Sequence, residues 1–125
     1  MKPPYGRITA IDMNTGEHLW WIPNGDTPER IRNHPALQGV DLPNTGQTAR
    51  AITMVTRTLL ITAEGGGGEN RLHAVDKRTG ERLGTIDLPG AGEYGMMTYM
   101  HEGNQYIVVQ IGGNTPAALV ALRLP

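Results

Sequence analysis

Apolar and polar residues alternate over short stretches separated by clusters of turn-forming residues. A period of two marks strands with one buried face. Residues 8–11 and 17–22 form the first such pair, and residues 51–55 and 59–62 flank Thr56-Arg57-Thr58 as the second. Residues 72–75 and their return strand form a third pair. Residues 96–100 and 105–111 flank His101-Glu102-Gly103-Asn104, a segment of turn composition, and residues 119–124 form a last strand. The pattern therefore predicts about nine strands. One short helix is predicted over residues 27–32, with Thr27 at the N-cap, Pro28 at the first helical position and Glu29 in the first turn. It lies inside a long polar stretch, residues 23–50.

The chain repeats itself. Residues 8–19, Ile-Thr-Ala-Ile-Asp-Met-Asn-Thr-Gly-Glu-His-Leu, return at an offset of 64 as residues 72–83, Leu-His-Ala-Val-Asp-Lys-Arg-Thr-Gly-Glu-Arg-Leu, with six of twelve positions identical. Leu119-Val120-Ala121-Leu122 is a third, partial copy. Each full copy reads as a hairpin. The Asp accepts hydrogen bonds from backbone donors just ahead, and the Gly supplies the positive φ that closes the turn. Matches that extend into both strands favour a true repeat over two unrelated hairpins sharing turn chemistry. Two strands, a long loop, four strands and three more then follow in order. Four-stranded antiparallel units recurring every ~40–60 residues are the signature of a β-propeller, so the fold class is all-β.

Composition narrows the function classes. Gly 17 and Pro 9 in 125 residues suit a chain of turns. Phe is absent, so the core rests on Leu, Ile, Val, Met and Ala. Eleven basic against 12 acidic residues give a net charge of −1, with no basic stripe for nucleic acid. The longest apolar runs, residues 59–61 and 106–109, fall far short of a membrane span. Cys is absent, which excludes disulfides and thiolate chemistry. Met1 leads straight into Lys2-Pro3-Pro4, with no signal peptide, and this opening reads like the middle of a larger chain, so a fragment is expected.

Ala10-x-Asp12-x-x-Thr15-Gly16-Glu17-x-x-Trp20 resembles the tryptophan-docking motif of quinoprotein dehydrogenases, which use pyrroloquinoline quinone (PQQ) on an eight-bladed propeller. Residues 2–7 resemble the family's entry to a late blade. Met97-Thr98-Tyr99, residues 105–109 and Gly112-Gly113 resemble its closing segment, with glucose-dehydrogenase-like members the nearest group. The resemblance implies a C-terminal piece of about two and a quarter blades. Residues 1–23 end one blade, 24–50 form a long loop, 51–90 make a full blade, and 91–125 make a closing blade lacking its last strand. It also implies that Trp20 is mostly buried, stacked between Ala10 and the Thr79-Gly80 peptide of the next blade. Gly84 stands where the second copy would carry Trp. Trp21 falls on the opposite face, as ordinary packing or a rim residue.

Candidate chemistry concentrates in the loops, and each candidate has a structural alternative. The Gly65–Gly68 run lacks the Lys-Ser/Thr of a phosphate loop and reads as a blade connection. By the resemblance, Glu69-Asn70 sits where the family places an acid that pairs with a lysine beside the quinone, although the family residue is Asp; otherwise Glu69 is a solvated loop acid. Asn44, in Asn44-Thr45-Gly46, precedes a blade's first strand, where the family's polar groups approach the quinone. His34 faces substrate or packs its own loop. Asn114 falls where glucose-type relatives carry a His near substrate, or is a plain turn residue. His18 and His73 lie on strands, His101 lies in an exposed turn, and no His pair has metal-ligand spacing. Asp12 and Asp76 are turn residues, not a carboxylate pair. Met96, Met97 and Met100 are expected as core filler.

Two function classes follow. The resemblance implies an oxidoreductase that oxidises a sugar or alcohol with PQQ and calcium, passing electrons to a respiratory quinone or cytochrome acceptor in the periplasm. A base takes the hydroxyl proton and hydride passes to the quinone. The catalytic Asp, the calcium ligands and the lysine would lie in earlier blades. This chain alone is then expected to bind no cofactor of its own, to be silent, and to associate with the remaining blades or with itself. The alternative is a non-catalytic propeller, a binding or scaffold module, since propellers host unrelated functions.

Overall fold

The computed structural model describes residues 2–123 of the chain, so Leu124, placed by its sequence in the last strand, lies outside the described residues. Among the described residues, nine strands form three antiparallel sheets in succession: β1 (Arg7–Ile11) with β2 (His18–Pro23); β3 (Ile52–Val55), β4 (Leu59–Ala63), β5 (Arg71–Asp76) and β6 (Arg82–Asp87); then β7 (Ala91–His101), β8 (Asn104–Gly112) and β9 (Ala118–Arg123). Every strand pairs with its sequence neighbour, so the order within each sheet is a simple meander. The sheets are propeller blades, and the chain forms part of a propeller.

The repeated hairpin is repeated in three dimensions. In β1–β2, Ile8 faces Ile22 and Ala10 faces Trp20; in β5–β6, Leu72 faces Ile86 and Ala74 faces Gly84. Both ladders slip at the same place, between Ala10 and Ile11 and between Ala74 and Val75. The turns close alike. Asp12 Oδ1 accepts the Asn14 N–H at 2.7 Å and Asp76 Oδ1 accepts the Arg78 N–H at 2.7 Å. Gly16 and Gly80 take φ of +76° and +78°. A side-chain acceptor and a left-handed glycine are the two requirements of this turn.

The core lies between the second and third sheets. Ile52, Ile61, Ala63 and Leu72 pack against Val109 and Ile111, and β3 runs against β7. Aliphatic burial of this kind supplies most of the folding drive. Gly92 lets the sheets approach, because a β-carbon there would stand 2.7 Å from the Ala63 methyl.

Three local expectations are corrected. The helix is a single turn, α1 (Glu29–Arg32), and its N-cap is Pro28 with no side-chain cap. Thr27 instead accepts the Thr45 N–H at 3.0 Å, tying the two ends of the long loop together. Strand β7 begins at Ala91 rather than near Met96, its ladder irregular between Gly92 and Met96. Met96 packs on the core, but Met97 is 55% and Met100 64% exposed, because alternation turns Met97 outward and Met100 lies beyond the sheet-to-sheet contact.

Candidate functional site

The connections β2–β3, β4–β5, β6–β7 and β8–β9 gather at one end of the sheets, opposite the tight turns. Side chains bridge them. Asn24, 1% exposed, donates Nδ2–H to the Ala49 and Glu64 carbonyls at 2.9 and 3.0 Å. Its Oδ1 has no partner among the described residues. The Glu93 carboxylate nestles against Gly66 of the β4–β5 connection and against Gly112 and Gly113 at the end of β8.

A buried carboxylate lies under this end. Glu64 is fully buried and His73 is 2% exposed, with Nε2 2.8 Å from Glu64 Oε1. The other ring nitrogen, Nδ1, lies 2.9 Å from Thr85 Oγ1. Glu64 Oε2 accepts the Glu69 N–H at 2.8 Å. A buried carboxylate needs such partners, since an unpaired charge inside a protein is strongly disfavoured. Two glycines make the room: a β-carbon at Gly25 would overlap the carboxyl, and one at Gly68 would stand 2.6 Å from Glu64 Cβ.

The cofactor-side and substrate-side candidates Asn44, Glu69, Asn70, His34 and Asn114 all lie in these connections, though not in one pocket. Glu69 and Asn70, with Gly68, Arg71, Asp87 and Leu88, line an open cavity of about 320 Å³. Asn70 is exposed and its side chain makes no hydrogen bond among the described residues. Asn44 lines a second hollow with Asp26, Thr27, Arg32 and Leu42. Its side chain is committed internally: Nδ2–H donates to the Gly25 carbonyl and Oδ1 accepts the Gly46 N–H, both at 2.9 Å. His34 is exposed and its Nδ1 accepts the Ala36 N–H at 3.2 Å, capping the 3₁₀ turn Pro35–Leu37. Asn114 is exposed beyond β8.

The seam between the first two sheets is held from the side. Trp20 donates Nε1–H to the Lys77 carbonyl at 3.0 Å and packs on Gly80, with Ala10 beside it in register. The indole is mostly but not fully buried. Asp26 adds an ion pair with Arg82 at 2.9 Å and another with Arg71 at 3.4 Å. Trp21 is 51% exposed on the opposite face.

Glu64 and its partners were missed by sequence reasoning. The available signal was a charged residue ending the apolar run Leu59-Leu60-Ile61-Thr62-Ala63, with a His inside the next strand. Among the described residues no three His, Cys, Asp or Glu side chains converge as a metal cage.

Compared with known proteins, residues 1–107 match a family model described as PQQ, glucose/ethanol/alcohol dehydrogenase, beta-propeller domain. The glycerol dehydrogenase large subunit of Gluconobacter thailandicus is 36% identical over 132 aligned residues, covering 99% of this chain and 17% of that protein. The quinoprotein glucose dehydrogenase of Escherichia coli (strain K12) is 33% identical over 117, covering 90% and 14%. A probable quinate dehydrogenase (quinone) of Xanthomonas campestris pv. juglandis is 33% identical over 117, covering 89% and 14%. The chain thus spans no more than 17% of the length of these relatives.

Proposed function

This chain belongs to the PQQ glucose/ethanol/alcohol dehydrogenase β-propeller family, and on that premise we propose that it forms the C-terminal blades of an oxidoreductase that oxidises a sugar or an alcohol and passes the electrons to a respiratory quinone or cytochrome. The observation that carries this reading is the open Glu69–Asn70 edge at the end of the sheets where the long connections meet. PQQ, when bound, supplies the two-electron acceptor for the substrate's C–H bond.

The residues fit one edge of that group. Asn70 presents a side-chain amide to a polar rim, and Glu69 presents an acceptor suited to a lysine from another blade. Asn44 and His34 brace their own loops through the bonds described above, and Asn114 remains on the substrate side. The ligands of calcium belong, in this reading, to other blades. Ala10, Trp20 and Gly80 act as the dock between neighbouring blades. A catalytic constellation needs all its parts held in place, so the isolated chain is silent. Among the described residues no helix is long and apolar enough to cross a membrane. By family resemblance alone, we place the working enzyme in the periplasm.

A chimera tests this. The matching segment of the Gluconobacter thailandicus glycerol dehydrogenase large subunit is replaced by this chain. PQQ-dependent dye reduction with polyols or aldoses is the expected result. A soluble, folded chimera that takes up no PQQ would favour a non-catalytic scaffold instead.

A further inference from the structure

A run of four glycines is the most flexible connection a chain can build, yet it leads directly into Glu69 and Asn70. Gly65 and Gly67 take φ of +88° and +87°, conformations that side chains disfavour. A binding edge must be held far more tightly than such a loop holds itself.

We propose that Glu64 is the positioning residue for the Glu69–Asn70 edge, held from behind by His73 and Thr85. The loop wraps around the buried carboxylate, and Oε2 fastens its far end by accepting the Glu69 N–H at 2.8 Å. Oε1 is fixed by His73 Nε2 at 2.8 Å, and the ring is fixed in turn by Thr85 Oγ1 at 2.9 Å. With the ring neutral, Nε2–H donates to the carboxylate and Nδ1 accepts the Thr85 hydroxyl proton; the partners set the tautomer. The same carboxylate reaches the long loop. Gly25 lies against it, and the Gly25 carbonyl accepts the Asn44 amide. Asn44 and Glu69, which share no pocket, are thus joined through Glu64. The glycine at 68 follows from this arrangement, since a side chain there would collide with Glu64.

The inference rests on the reading that Glu69 and Asn70 edge the cofactor, and it is tested separately from it. Amide hydrogen exchange is followed by NMR in the 125-residue chain. Glu64→Ala should speed exchange at Glu69 by on the order of tenfold, the loss of one charge-assisted hydrogen bond. Ladder amides of β4 and β5 should stay protected. Glu64→Gln should restore slow exchange at Glu69 and move the His73 proton from Nε2 to Nδ1, visible in the ring nitrogen shifts, because the Gln amide must donate where the carboxylate accepted. If Glu64→Ala does not fold, Thr85→Val serves, with Glu69 exchange faster by about threefold because only the rear anchor is lost. Unchanged exchange at Glu69 in the folded variant overturns the inference, as does Glu64→Gln exchanging as fast as Glu64→Ala. Failure of the chimera to take up PQQ would sink the cofactor reading and leave this comparison standing.

Discussion

The indole of Trp20 occupies the space that a side chain at residue 80 would need: a β-carbon on Gly80 would stand 3.0 Å from Cδ2 and Cε3. The glycine there is required twice, by its φ of +78° and by the ring above it. Trp20→Ala should cost about 2–3 kcal/mol, below the range for a fully buried aromatic because the indole is not completely buried. Gly80→Ala should cost about 2 kcal/mol from backbone strain and displacement of the ring. Urea unfolding measures both; a loss under about 0.5 kcal/mol for Trp20→Ala would show that the seam is held elsewhere.

Gly25→Ala should be among the most damaging small substitutions, at about 3 kcal/mol or more, since the methyl would overlap a fully buried carboxyl. Combining it with Glu64→Ala should recover part of that loss. A double-mutant cycle by thermal unfolding reads the coupling, and strict additivity would mean the two groups do not share the space.

Asp26→Ala should cost only about 0.5 kcal/mol, because all three partners of this ion-pair cluster are about a third exposed. The cost should shrink further in 1 M salt, where surface charges are screened over about 3 Å. Denaturation at two salt concentrations checks it; a large, salt-insensitive loss would contradict this.

Gly84 sits where the repeat places Trp20, and a β-carbon there meets nothing within 4 Å. It borders an apolar groove of about 550 Å³ between the second and third sheets. Gly84→Trp should fill part of that groove and raise stability by about 1 kcal/mol. A calorimetric melting temperature at or below that of the parent would show that the groove cannot close on an indole.

The outer edge of β9 carries no strand partner among the described residues, and Leu119 on it is 74% exposed. Unpaired edges with apolar residues invite association. The purified chain should therefore self-associate at micromolar concentration, and Leu119→Lys should reduce that association. Sedimentation velocity is the measurement, and a single sharp monomer for the parent chain would refute it.

The hairpins were legible because their chemistry is local. Asp12 and Asp76 bond donors two residues ahead, and Gly16 and Gly80 close the turns, so a short window of sequence contains the whole device. The meander within each of the three sheets was legible for the same reason, since pairing inside a sheet follows the order of the chain. The Glu64 cluster was not, because its members come from two strands and a loop, and spacing along the chain says nothing about His73 meeting Thr85 across a ladder. Met97 and Met100 misled because methionine is as common in cores as on adaptable surfaces. Asn44 and His34 were visible as polar loop residues, but only three dimensions show their side chains already bonded to their own backbone.

The two hairpins share one turn and one register. Joining Asp12 directly to Lys77 would delete residues 13–76, a length equal to the repeat offset of 64. The junction would recreate the same turn, with Ile8 brought opposite Ile86 and Ala10 opposite Gly84, and the ladder slip would fall where both hairpins already carry it. The deletion removes four strands, β2 to β5, without requiring a new loop. Such a fusion would keep the turn chemistry but put Gly84 where Trp20 stood, so the seam would lose its dock.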